Sequence, residues 1–134
     1  MSAEHVPASL QRRVRERAGG RCEYCGIAQE LQEATFHIDH VVPRVEGGAT
    51  ALDNLALACV SCSLRKGPRR AAADPDTGAE ASLYDPRAQR WNEHLRLASD
   101  GRLEGLTATG RATIALLKMN RPLAVLLRRD ARGG

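Results

Sequence analysis

Apolar positions along the chain fall in short groups, and their spacing alternates between helix-like and strand-like periods. From Val6 to Ala18, Leu10 and Val14 stand four apart, Pro7 suits a first-turn position, and Gly19-Gly20 end the pattern, so a helix is predicted there. Its other face carries Arg12, Arg13, Arg15 and Arg17, a solvated face that could also meet phosphate. Between Thr35 and Val42, the residues Phe36, Ile38, Val41 and Val42 predict a strand ended by Pro43. Glu46-Gly47-Gly48 reads as a loop, and Asp53 or Asn54 is placed to cap a short helical stretch over Leu55–Ala58. A helix is expected from the Cys59–Cys62 pair to Lys66, stopped by Gly67-Pro68.

Beyond Pro68, Asp74-Pro75-Asp76-Thr77-Gly78 has the residues of a turn. His94–Ala98 and Arg102–Leu106 flank Ser99-Asp100-Gly101, a hairpin signal. Thr107 and Thr109 are N-cap candidates for a helix over Gly110–Met119, and Pro122 starts a last helix that ends in Arg128, Arg129 and Arg132. No internal repeat or low-complexity segment interrupts this order. The expectation is one domain over residues 1–134, with a core at about 20–70 and a helical C-terminal extension over about 71–134 packed on it.

Composition sharpens this picture in two ways. The chain is 43% hydrophobic, but 21 of those residues are Ala and only four are Phe, Trp or Tyr, so the core is thin and an additional stabiliser is expected. The net charge is +4, and its excess lies after Gly67, with 8 basic and 8 acidic residues up to there and 12 and 8 beyond. A positive balance suits a polyanionic partner, although 18 of the 20 basic residues are Arg and biased base composition alone produces such a pattern. No apolar run approaches the ~20 residues of a membrane span, and Met1–Leu10 lacks a secretory pattern; a cytoplasmic protein with no membrane partner is expected. Four Cys in such a chain read as metal ligands, not disulfides.

Those cysteines stand as two CxxC pairs, Cys22/Cys25 and Cys59/Cys62, separated by 33 residues. Two thiolates two residues apart converge on one ion from a single turn, and two such turns complete a tetrahedron. An all-thiolate set selects zinc ahead of iron, and with no position left for water the ion is structural. It would tie down both ends of the Thr35–Asp53 segment and supply stability that the core lacks.

Inside that frame lies Phe36-His37-Ile38-Asp39-His40-Val41-Val42-Pro43. Three ionisable groups within four residues of an apolar strand are costly unless they have a task. A neutral His can take a proton from water near pH 7, and a carboxylate can hold a divalent cation. Together they can activate water and stabilise charge on a phosphate. A His-Asp pair also occurs as a plain structural hydrogen bond; the four-thiolate frame favours chemistry.

The runs His37-Ile-Asp-His40-Val-Val-Pro43, Gly47-Gly48, Asn54-Leu55 and Cys59-Val-Ser-Cys62-Ser63-Leu-Arg-Lys66-Gly67 resemble those of an HNH endonuclease, of the zinc-containing ββα-metal or His-Me finger class. The tail is similar to that of small stand-alone bacterial HNH proteins at Asp74-Pro-Asp-Thr-Gly78, Arg90-Trp-Asn-Glu-His94, Gly105-Leu-Thr-Ala-Thr-Gly-Arg-Ala-Thr113 and Met119-Asn-Arg-Pro122. The resemblance implies an α+β fold with a zinc-braced ββα-metal core. It implies hydrolysis of DNA phosphodiesters, double-stranded DNA as partner, and magnesium or manganese as the catalytic ion. It also implies that His40 is the general base, that Asp39 holds the ion, and that Asn54 fixes the loop positioning His40. Lys66 and Arg65 would meet the DNA backbone, with Arg44 and Arg69 as further contacts. Because Asp39 and His40 are adjacent, a regular strand would point them apart, and the resemblance implies a bend that unites them.

One position departs. The family usually has Asn or His after the last Cys as a second ligand to the catalytic ion, and this chain has Ser63, a shorter and poorer donor. His37 either compensates as a ligand or is structural. The competing reading is a catalytically weak or inactive zinc module that binds nucleic acid. A zinc-stapled protein-interaction adaptor explains the cysteines but gives His37, Asp39 and His40 no reason. Trp91 and His94 read either as a core anchor with a hydrogen-bonded neighbour or as part of the active site. Arg69, Arg70, Arg128, Arg129 and Arg132 are candidates for phosphate contact, and His5 carries no argument.

Overall fold

A computed structural model describes residues 6–133, so His5 lies outside the described residues. Helix α1 spans Ala8–Ala18 with Pro7 at its N-cap, and Gly19 closes it in the left-handed conformation, its N–H donating to Glu16 O. Val14, fully buried, carries the helix onto the core; one such side chain stabilises the fold by about 1.5–3 kcal/mol. The first cysteine knuckle follows. Gly26 turns it at φ +84°, and Cys22 N–H donates to Ile27 O across the turn.

Strands β1 (His37–His40) and β2 (Leu55–Ala58) pair antiparallel, with His37 opposite Ala58 and His40 opposite Leu55. This corrects the expected helix over Leu55–Ala58. All four residues of Leu-Ala-Leu-Ala are buried, and pairing with β1 satisfies a backbone that Ala and Leu would otherwise coil. A single 3-10 turn over Leu52–Asn54 is all the helix that precedes it. Helix α2 (Val60–Lys66) starts from Cys59, whose sulfur accepts from Cys62 N–H, and completes a ββα unit closed by the cysteines.

The remaining residues are not only helical, a second correction. Strands β3 (Ala71–Ala73) and β4 (Glu80–Ser82) form a hairpin around the expected Asp74–Gly78 turn. A short helix α3 (Trp91–His94) leads into the expected second hairpin, β5 (Leu95–Leu97) with β6 (Leu103–Gly105). Helix α4 (Ala108–Leu117) is capped by Thr107, whose hydroxyl accepts from Gly110 N–H at 3.1 Å, and α5 runs from Pro122 to Gly133. The fold is thus α+β.

One apolar cluster joins these parts: Val14 from α1, Tyr24 and Ile27 from the first knuckle, Leu55 and Leu57 from β2, and Leu117, Met119 and Ala124 from the last two helices and the turn between them. Trp91 Nε1–H donates to Tyr24 O at 2.9 Å, and His94 Nδ1 lies 2.7 Å from Thr107 Oγ1, so Trp91 and His94 tie the tail to the knuckle and to α4. Among the described residues no helix is long and apolar enough to cross a membrane.

Candidate metal centre and nuclease groove

The four cysteines meet as the spacing predicts. Their sulfurs all lie within 4.8 Å of one another, every one is buried, none is in a disulfide, and Cys25 and Cys59 sulfurs are 3.7 Å apart. Cys25 and Cys62 N–H groups each point at the sulfur three residues back, at 3.4 Å. Burial pushes the Cys22 thiol up, while hydrogen bonds from neighbouring thiols, Cys22 first, hold Cys59 well below its usual range. Four buried thiols in van der Waals reach therefore share their protons unequally, and only a cation makes all four ionised together. The set fits one tetrahedral ion such as zinc.

The second site is a groove of about 780 Å³, whose floor includes β1 and whose walls come from α1, the β1–β2 loop and α2. His37, Asp39, His40 and Ser63 all line it, together with Arg15 and Arg44. His37 Nδ1 lies 2.8 Å from Ser63 Oγ, so the residue that departs from the family pattern and its suggested substitute are already in contact. His40 Nε2 lies 2.9 Å from Thr50 Oγ1, and that hydroxyl oxygen accepts from the Arg44 guanidinium at 2.6 Å.

Asp39 is held differently. Its Oδ2 accepts from the Tyr24 hydroxyl at 2.7 Å and pairs with Lys66 Nζ at 3.3 Å. Burial pushes its carboxyl up, and Lys66 and Tyr24 oppose the shift. Both contacts fall on Oδ2. The donor set that Asp39, His37 and Ser63 present suits a hard divalent ion. Among the described residues, however, only the four cysteines bring three or more Cys, His or carboxylate ligand atoms together.

Asn54 does not line the groove. It clips the loop above it: Oδ1 accepts from Val42 N–H at 2.9 Å, and Nδ2 donates to Val42 O at 3.0 Å and Ala49 O at 2.9 Å. The fit is close enough that a Cβ on Gly48 would lie 1.7 Å from Val42 O and 2.9 Å from Asn54 Nδ2, so only glycine fits there.

Two basic residues are not where the sequence expectation put them. Lys66 is 2% exposed: its ammonium pairs with Asp39 and reaches His40 O and Val41 O at 3.4 and 3.5 Å, so it does not present itself to a DNA backbone. Arg128 is 4% exposed and donates only to oxygens of the fold, so it too is withdrawn from phosphate. The signal was available, since Lys66 stands four after Cys62 and Arg128 four after Ala124, each on the buried face of its helix.

Arg44, Arg65, Arg69, Arg70 and Arg129 are exposed as expected, and the side chain of Arg132 lies outside the described residues. Arg65 and Arg69 line a second depression with Lys118, which meets the groove at Gly67 and Pro68. Trp91 and His94 line no part of the groove. Sequence reading did not anticipate Tyr24, Thr50 or the placing of Arg15, whose Nη2 donates to Phe36 O at 3.2 Å.

Residues 22–69 match the family model for HNH endonuclease. The matched span runs from the first metal-knuckle cysteine past the end of α2, and so contains both the four-thiolate site and β1 with its His-Asp-His set. No curated protein and no solved structure matches the chain.

Proposed function

We propose that this HNH domain hydrolyses DNA phosphodiesters, with zinc in the four-thiolate site and magnesium or manganese at the groove. The observation that supports it is the convergence of His37, Asp39, His40 and Ser63 on one open groove flanked by the cations Arg15 and Arg44. A divalent ion held by Asp39, His37 and Ser63 would supply positive charge to the phosphate and to the leaving 3′ oxygen.

The chain's own groups do the rest. His40, held by the contact of its Nε2 with Thr50 Oγ1 at 2.9 Å, takes the proton of the attacking water. Arg44 fixes Thr50 and through it the imidazole plane. Asn54 and Gly48 hold the backbone on either side of the loop, which positions His40 without touching substrate. Arg15 and Arg44 meet phosphates beside the scissile one, and the Arg65, Arg69 and Lys118 depression continues the basic track over Gly67 and Pro68.

A second reading rests on the Asp39–Lys66 pair. A carboxylate already neutralised by a buried ammonium is a weaker ion ligand, and with Ser63 beside it the domain would bind nucleic acid without cutting it. Incubating the zinc-loaded protein with supercoiled plasmid, with and without magnesium or manganese, separates the two. Metal-dependent nicking is expected. Plasmid bound but intact at saturating metal would establish the binding module instead.

A further inference from the structure

Arg128 is a buried cation whose contacts are all with neutral oxygens. Its Nε donates to Gly101 O at 2.8 Å, Nη2 to Met119 O at 2.7 Å and Asn120 Oδ1 at 3.3 Å, and Nη1 to Cys25 O at 3.3 Å. Among the described residues no carboxylate pairs with it. Carbonyl dipoles satisfy its N–H groups but leave its charge uncompensated, and an unpaired buried charge costs a fold several kcal/mol. Something negative nearby should offset it.

The four-thiolate centre is that charge. A divalent ion on four thiolates carries two net negative charges, and one of its ligands, Cys25, provides the carbonyl that Arg128 Nη1 grips. The N–H groups of Cys25 and Cys62 soften the negative charge on two sulfurs but bring no countercharge. We propose that Arg128 is the countercharge of the metal centre, so that metal loading and the docking of α5 stabilise each other.

A further observation agrees. The seam where α5 meets the knuckle is incompletely packed. It holds a cavity of about 270 Å³ lined by Trp91, Leu97, Leu103, Leu127 and Arg128 among others. Apolar packing is thin at that seam, and the charge carries more of the attachment.

The same arrangement brings α5 against the first knuckle. Met119, Asn120 and Gly101 gather around the guanidinium and hold it aimed at Cys25. Asn120 also exchanges two hydrogen bonds with Leu103, at 2.7 and 2.8 Å, which fixes the junction between α4 and α5 against β6. Arg128 thus joins the charge of the centre to the last third of the chain, beside the neutral Trp91–Tyr24 hydrogen bond.

The test is zinc affinity of the full-length protein, measured by competition with a chromogenic chelator, in Arg128→Lys, Arg128→Gln and Leu127→Ala. Loss of an outer partner of a metal ligand lowers affinity about 10- to 100-fold, and that loss is expected for Arg128→Gln. Arg128→Lys, which keeps the charge, should stay within a few-fold of the natural protein. Leu127→Ala, which loosens α5 but keeps the charge, should lower Tm and cost zinc affinity much less than Arg128→Gln does. A Gln variant recovered folded only in excess zinc is the expected result in stronger form. Equal zinc affinity in the Lys and Gln variants, whether both hold or both fail, would overturn the proposal. So would a loss in Leu127→Ala as large as that in Arg128→Gln.

Discussion

Asp39 lines the groove and Lys66 pairs with it from outside the lining, the lysine almost wholly out of solvent and the carboxylate bonded to Tyr24. Removing one member of such a pair leaves an unpaired buried charge, a loss of about 3–5 kcal/mol. Lys66→Met is therefore expected to lower the unfolding free energy by that amount in a denaturant titration, whereas a backbone-contact lysine would show almost none. At Ser63 the expectation concerns the ion. Ser63→Asn replaces a hydroxyl with the amide oxygen usual in the family, on a half-buried turn beside His37. The variant should cleave plasmid faster at low magnesium, with the gap closing as metal saturates; an unchanged metal profile would place Ser63 away from the ion. These two residues also mark where the sequence could and could not be read. Ser63 stood out because a motif surrounds it, whereas Lys66 was assigned to DNA by the family resemblance, against its place on the Cys62 face of α2.

The elements follow the same division. Caps, turns and knuckles were legible: Gly19-Gly20 ends α1, Thr107 starts α4, and both CxxC pairs form as spaced. β2 was not, because Leu-Ala-Leu-Ala is buried on both faces and shows no alternation; its pairing with β1 decides its state. The β3–β4 hairpin was missed for a related reason, three alanines giving no strand signal, and it is held from outside. Asp74 in its turn is buried and receives a two-pronged grip from Arg111 on α4, with Nε and Nη2 at 2.9 Å from its two oxygens. Arg111 holds its carboxyl well below the usual carboxylate range. A lowered folded value stabilises above the unfolded value, near 4, and is lost as pH falls from there. Asp74→Asn should therefore lower Tm most between about pH 5 and 7, and the two melting curves should converge toward pH 2. A pH-independent gap would mean the grip is only shape.

At the scale of the molecule, the thin Ala-rich core is built around the metal centre. Cys22, Cys25, Cys59 and Cys62 belong to the same buried cluster as Val14, Leu57 and Met119, so an ion held there would tie α1, the ββα unit and the tail together. Stripping zinc with a strong chelator should unfold residues 22–69 and remove near-ultraviolet ellipticity, since structural zinc contributes on the order of 10 kcal/mol of folding free energy. A protein that keeps its Tm without metal would show that the cysteines are only packed thiols. The groove's chemistry is a separate matter from that brace, and one comparison isolates it. Wild type and His40→Ala, matched for zinc content and for plasmid affinity, are assayed for nicking of supercoiled plasmid in manganese. Loss of the base is expected to slow nicking about 10²- to 10⁴-fold with zinc and binding unchanged. Nicking by His40→Ala at the wild-type rate would contradict the assignment of this groove as the catalytic site.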